Sequence, residues 1–286
     1  MILITGATGH LGTSVIQTLL TKTPANEVVA LVRNETKADR LEQQGVNIRV
    51  GDYNNTEALD RAMQGVDKVL LIAGGDAPNG LQQHQNVVDA AKKAGVGYMA
   101  YTSRSLKDPD TLVNQLMMRH FETEDYIKAS GLTYALLRNS LYMDTLPVFT
   151  GPAVFETGIA LPAGQGRVAF ALRREQGEAI ANVLMADDGA NRIYNFTGSD
   201  AYSFDDVAAA LTELSGKPVT YTNIDPTVMA ERMKGRGVPD TAIQRTIGFM
   251  TDIKHGQEAP VSTDLETWLG RKPASLRDGL PTLYTL

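Results

Sequence analysis

The chain of 286 residues is 43% hydrophobic and carries 27 basic against 33 acidic residues, a formal net charge of −6, which supplies one large core or two modest ones and excludes disorder. Mild acidity without a basic stripe excludes nucleic acid and an anionic membrane surface as expected partners, and no apolar run approaches the roughly 20 residues that span a bilayer. Zero cysteines exclude disulfides, thiol nucleophiles and cysteine metal ligands, and the four histidines (His10, His84, His120 and His255) lack ligand spacing, so no metal is expected.

The first predicted element is a strand at 1–5, which breaks into glycines at 6, 9 and 12 and then into Leu11, Val15, Ile16, Leu19 and Leu20 at helical spacing. Strand, glycine turn and helix in that order form a dinucleotide fingerprint. Gly6 allows the sharp turn, Gly9 lets a pyrophosphate approach the backbone, and Gly12 lets the helix pack on the sheet. The pyrophosphate then sits on unpaired N–H groups at the helix start, with Thr8, His10 and Leu11 as further contacts.

Five more strands follow at 27–32, 46–50, 67–72, 97–102 and 132–138, alternating with helices near 11–22, 36–43, 56–64, 81–94 and 114–130. Such alternation is the mark of βαβ units and a parallel sheet. An arginine at the end of the second strand accommodates the phosphate of NADP, whereas an acid there holds the ribose of NAD. Arg33 stands at that place with Lys37 one turn on, which predicts NADPH; Glu35 is the competing ribose ligand. Asp52 and Tyr53 are placed to edge the adenine, Ala73-Gly74-Gly75 to let backbone approach the cofactor, and Thr102 and Ser103 to contact it from the fifth strand.

Past 139 the pattern loosens, with Pro147, Gly151, Pro152, Gly158, Pro162, Gly164 and Gly166 crowded together. Regular structure resumes with a helix near 174–186, a strand at 192–197, a helix opened by Ser203-Phe-Asp-Asp206 and a strand at 218–224. Helices are expected after Asp225-Pro226 and after Pro239. The expected fold class is α/β: a Rossmann-type doubly wound parallel sheet over 1–139 with a smaller C-terminal α+β substrate domain over 140–286, of which about 174–197 returns to the first.

Gly-Ala-Thr-Gly-His-Leu-Gly at 6–12, Val-Arg-Asn at 32–34, Gly-Asp-Tyr at 51–53, Ala-Tyr-Thr-Ser at 100–103 and Ser-Gly-Leu-Thr-Tyr-Ala-Leu-Leu-Arg-Asn at 130–139 resemble the NmrA-like branch of the atypical short-chain dehydrogenase/reductases. His120-x-x-x-Glu124 and Leu137-Arg-Asn-x-x-Tyr142 are similar to its quinone and triphenylmethane reductase group. The resemblance implies NADPH as hydride donor and a quinone-like or aromatic small molecule as partner.

The wider superfamily's catalytic Tyr-x-x-x-Lys would fall on Leu116 and His120, and neither residue is present. Ketone reduction and sugar-nucleotide epimerisation lose their acid/base group. Quinone reduction survives, because its product is a phenolate with a pKa of roughly 10, and a cationic dye carbon needs no proton. Catalysis then rests on positioning.

Three residues are the candidate catalytic set. His120 bonds the nicotinamide ribose, relays a proton, or is an ordinary partly buried histidine. Asn139 and Tyr142 lie at the sheet's carboxyl edge, where Tyr142 stacks on an aromatic substrate or is core. Phe149, Phe155, Met229, Met233, Phe249 and Met250 are candidates for an apolar wall, and Trp268 for an anchor of the C-terminal packing. The competing function is a dinucleotide-binding redox sensor without turnover. A cytoplasmic monomer or homodimer is expected.

Overall fold

The computed structural model describes residues 1–74, 78–186 and 189–286. Short apolar runs form β1 (Ile2–Ile4), β2 (Val28–Val32), β3 (Asn47–Val50), β4 (Lys68–Leu71), β5 (Tyr98–Arg104) and β6 (Thr133–Asn139), followed by β7 (Ile159–Leu161), β8 (Arg192–Phe196) and β9 (Tyr221–Asn223). Helices α1 (His10–Leu19), α2 (Asp39–Gln43), α3 (Thr56–Ala62), α4 (Gly80–Lys93) and α5 (Met118–Ser130) alternate with the first six strands. Beyond β6 come α6 (Leu146–Thr150), α7 (Val154–Thr157), α8 (Arg173–Ala186), α9 (Phe204–Ser215), α10 (Pro226–Gly235), α11 (Asp240–Lys254), α12 (Asp264–Leu269) and α13 (Leu276–Gly279).

Seven strands make one parallel sheet in the order β3-β2-β1-β4-β5-β6-β8. A parallel sheet is covered on both faces, so its strands are continuously apolar; every residue of β2 is buried. Ile4, Val28, Ala30 and Leu70 face a core shared with α1 and α8, while Leu3, Val29, Leu31, Val69 and Leu71 face the core under α3, α4 and α5. The chain leaves β1 toward β2 on one side and returns to β4 on the other. That reversal opens a crevice at the carboxyl ends of β1 and β4, where ligands of such sheets bind.

A second core gathers Leu141, Leu146, Leu161, Phe170, Phe204, Leu211 and Met250, beside the two-stranded sheet of β7 and β9. The chain then returns to the main sheet. β8 adds to its edge and α8 lies against α1, so closely that a Cβ on Gly177 would stand 2.6 Å from Ser14 Cβ. Trp268 anchors this side as expected, 5.4 Å edge-on from Tyr194, with its carbonyl accepting from Asn182 Nδ2 at 2.7 Å.

Local side-chain bonds shift two helix starts. Asn34 Oδ1 accepts from the N–H of Thr36 at 3.0 Å, so 35–37 is a 3-10 turn and α2 begins at Asp39. Asn114 Oδ1 accepts from the N–H of Leu116 at 3.3 Å, which leaves 115–117 as a 3-10 turn ahead of α5. The strand expected at 218–224 keeps only Tyr221–Asn223.

Candidate active site

Gly6 turns the chain out of β1 with a φ of 57°, a conformation that costs a side chain and leaves glycine free. The N–H of Gly9 closes the turn on Gly6 O at 3.0 Å, and α1 starts from Gly9 without any side-chain cap or acidic residue in its first turn. Its first N–H groups therefore suit an anion. A Cβ on Gly12 would lie 2.4 Å from Gly6 O and 2.9 Å from Ala7 Cα. Gly12 thus lets α1 pack closely against the glycine turn at the end of β1.

Beside this turn is a cavity of about 580 Å³ that brings together Gly6, Thr8, Gly9, Arg33, Lys37, Asp52, Tyr53, Ala73 and Gly74 of the expected cofactor contacts. Leu31, Val32, Gly51, Ile72 and Gln83 complete it. Sequence reasoning missed these five; Gly51, next to the expected Asp52, was the legible one. His10, Leu11, Gly12, Thr102 and Ser103 do not line it. His10 is exposed on α1, and Leu11 is buried in the core. Glu35 lines a separate recess with Asp39 and Glu42, so the basic side chains and the competing acid part company. Gly75 lies outside the described residues.

The loop after β4 is pinned by three side chains from three elements. Ile72 N–H donates to Thr5 Oγ1 at 2.8 Å, Ala73 N–H to Thr102 Oγ1 at 2.8 Å, and Gly74 N–H to His84 Nε2 at 3.2 Å. The Tyr53 hydroxyl donates to Ile72 O at 3.0 Å and stands within hydrogen-bond distance of Thr5 Oγ1, and burial holds its phenol above the ordinary value. Its ring is a fixed wall of the cavity. Asp52 Oδ1 accepts from the N–H of Asn54 at 2.8 Å, which shapes the neighbouring turn.

Underneath lies a buried polar cluster. His84 Nδ1 stands 2.9 Å from Thr123 Oγ1, and Tyr101 OH stands 3.1 Å from His120 Nδ1. Burial pushes the His84 imidazole down to about 4; the Arg119 charge adds to this. Burial, then Arg104, Arg119 and His84, holds His120 well below its ordinary value, so its ring is neutral at pH 7. Ser103 Oγ donates to Glu124 Oε1 at 2.6 Å, and Arg138 forks onto the same carboxylate at 2.8 and 2.6 Å. The serine thus gives its proton to the helix below. This assigns the carboxylate of His120-x-x-x-Glu124 a bracing role.

At the carboxyl end of β6, Asn139 is 1% exposed and Tyr142 half-buried, with the Arg173 guanidinium 4.5 Å over the tyrosine ring. Asn139 stands beside the Tyr142 hydroxyl, yet neither amide atom makes a hydrogen bond of good geometry. Burial raises the Tyr142 phenol against the opposing pull of Asn139, Arg104 and Arg173. Of the apolar candidates, Phe149 and Phe249 face each other at 5.9 Å, while Phe155 pairs with Tyr284 at 6.1 Å. Met229 packs against the second core, Met250 is fully buried within it, and Met233 joins neither.

The NmrA-like family profile matches residues 1–281. The chain belongs to the NmrA-like family. It is 42% identical over 287 residues to quinone oxidoreductase 2 of Escherichia coli (strain K12), covering 100% of this chain and 99% of that protein. Two solved structures are similar throughout. The Escherichia coli NADPH-dependent quinone oxidoreductase complexed with NADPH aligns with a TM-score of 0.92 at 36% identity, covering 100% of both chains. The Citrobacter sp. triphenylmethane reductase complexed with NADP(H) aligns at 0.93 and 36% identity, covering 99% of this chain and 100% of that one. The negative transcriptional regulator NmrA, at 16% identity and 0.77 over 98% of this chain and 95% of its own, shares the fold.

Proposed function

We infer that this chain is an NADPH-dependent oxidoreductase that reduces a quinone or a similar conjugated electrophile, cationic dyes among them. The observation that carries the reading is the cavity in which the glycine turn ahead of an uncapped helix, Arg33 and Lys37 converge, in a chain 42% identical to a quinone oxidoreductase along its whole length. When bound, NADPH supplies a hydride and leaves as NADP⁺, so a quinone becomes a hydroquinone with one proton from solvent.

The first N–H groups of α1 fit the pyrophosphate, and Arg33 with Lys37 fits the 2′-phosphate through charge-assisted bonds. Thr5, Thr102 and His84 hold the 72–74 backbone still beneath the cofactor, so Thr102 acts here through Ala73. His120 is neutral and tied to Tyr101, which supports a part in orienting the nicotinamide ribose over a part as proton donor. Asn139 and Tyr142 orient the acceptor. With Leu116 and His120 in place of the usual acid/base pair, rate comes from alignment of donor and acceptor.

Residues 1–139 act as the nucleotide-binding part and 140–286 as the substrate part, with 174–197 serving the first; the packing of α8 on α1 and of β8 on β6 supports this division. No described helix is long and apolar enough to cross a membrane. Dependence on NADPH supports a cytoplasmic site of action, for a monomer or homodimer.

Steady-state NADPH oxidation against a panel of quinones and cationic dyes tests the reading. Turnover with either acceptor is the expected result. NADPH binding without turnover on any acceptor overturns it in favour of a non-catalytic sensor.

A further inference from the structure

Arg104 and Asn139 end β5 and β6 and are paired directly across the two strands. Glu258, which follows α11 and is 2% exposed, accepts a hydrogen bond from Arg104 Nη2. Four polar atoms in this one place, Arg104 Nε, both amide atoms of Asn139 and Glu258 Oε2, are buried without a hydrogen bond of good geometry, with the Tyr142 hydroxyl beside the Asn139 amide and the Leu141 backbone beside the Glu258 carboxylate. Buried polar groups are normally paired. The two donors among these four atoms, Arg104 Nε and Asn139 Nδ2, at the carboxyl edge of an open α/β sheet, mark a place for a ligand with an oxygen to offer. The edge of the cluster reaches the surface, with the Arg104 side chain 12% exposed and Tyr142, beside Asn139, half-buried, while the two donor atoms themselves are covered.

We propose that Arg104 and Asn139, braced by Glu258, bind the carbonyl oxygen of the electron acceptor and hold the negative charge it gains, so that this protein favours quinones over cationic dyes. The proposal rests on the reductase reading above and names its acceptor subsite. Glu258 occupies one arm of the guanidinium and leaves the Nε–H as a donor; Asn139 Nδ2 is the second donor. A neutral carbonyl oxygen accepts both. As the acceptor takes two electrons and one hydrogen nucleus from NADPH, that oxygen becomes anionic, and both bonds strengthen when the charge develops. A proton from water then completes the hydroquinone. A triarylmethyl cation offers no carbonyl and brings a positive charge toward a guanidinium, so the same groups give it nothing.

The test compares wild type with Arg104→Gln and Arg104→Lys, using 1,4-benzoquinone and a cationic triphenylmethane dye. Arg104→Gln is expected to lower kcat/KM for the quinone about 100-fold, the usual loss on removing one oxyanion donor, and to leave the dye reaction unchanged or faster. NADPH affinity stays at the wild-type value, while Tm falls because buried Glu258 loses its ion-pair partner. Binding of hydroquinone to the NADP⁺ complex, followed by calorimetry, weakens at least about tenfold. If Arg104→Gln unfolds early, Arg104→Lys keeps a charge without the Nε–H and still lowers the quinone-to-dye ratio. A folded Arg104→Gln with the wild-type ratio and wild-type hydroquinone binding overturns the subsite and leaves the reductase reading intact. A wild type that binds hydroquinone through Arg104 yet turns over neither acceptor overturns the reductase reading and leaves the subsite standing.

Discussion

Arg33 and Lys37 stand on the cavity side of their turn and Glu35 on the other, so the preference for a phosphorylated ribose depends on which way three neighbouring side chains point. Arg33→Ala is expected to weaken NADPH by about 1.5 kcal/mol, the lower end for a hydrogen bond to a charged group, and to leave NADH little changed. Because Arg33 is exposed, the loss shrinks as salt is raised. Fluorescence titration of both nucleotides at two ionic strengths checks this, and equal losses for both would remove Arg33 from the phosphate site. Legibility at this scale was uneven. Arg33 and the glycines were readable because their roles depend on near neighbours in sequence. Ser103 was not, since its partner Glu124 comes from a helix 21 residues on, and Glu258 reaches Arg104 across 154 positions.

At the scale of elements, the glycine turn and the α1–α8 contact make opposite demands on one residue type. A Cβ on Gly9 meets only Gly6 O, at 3.2 Å, whereas one on Gly177 would stand 2.6 Å from Ser14 Cβ, with the Val15 backbone nitrogen at 3.2 Å. Gly9→Val is therefore expected to melt near the wild-type temperature and to lose NADPH, because its side chain fills the approach to the turn. Gly177→Ala is expected to cost about 1 to 3 kcal/mol by forcing two packed helices apart, and to keep NADPH affinity in the folded fraction. Thermal melts with and without NADPH separate the two outcomes. Six strands and their order of alternation were legible because a parallel sheet writes its burial into continuous apolar runs. Gly177 was not, because a helical glycine shows its use only when the other helix is in view.

At the scale of the whole molecule, two buried histidines make stability depend on pH. Burial is the first cause of the depression at both His84 and His120. Each is neutral in the fold at a pH where an unfolded chain's histidine, with a pKa near 6.5, already takes a proton. Their contribution is therefore complete above about pH 6.5 and is lost as pH falls toward the folded values, near 4 for His84, with a slope of up to about 1.4 kcal/mol per pH unit for each. Denaturant melts at pH 7.5 and 5 are expected to show this loss, and His84→Gln to remove part of the slope. A flat profile between those pH values would mean that the imidazoles take up protons in the fold as readily as in the unfolded chain.

The partnership of α1 with α8, and of β6 with β8, has a consequence for where the chain can be cut. Leu11, Val15, Ile16 and Leu19 share their core with Ala179, Ile180, Val183 and Leu184 from far downstream. A chain cut at residue 139 would carry the whole nucleotide fingerprint yet leave that flank of α1 and the outer edge of β6 facing water. The outer edge of β6 and that flank of α1 are covered only once the chain is present through residue 196. A fragment of residues 1–139 is therefore expected to aggregate where the whole chain does not.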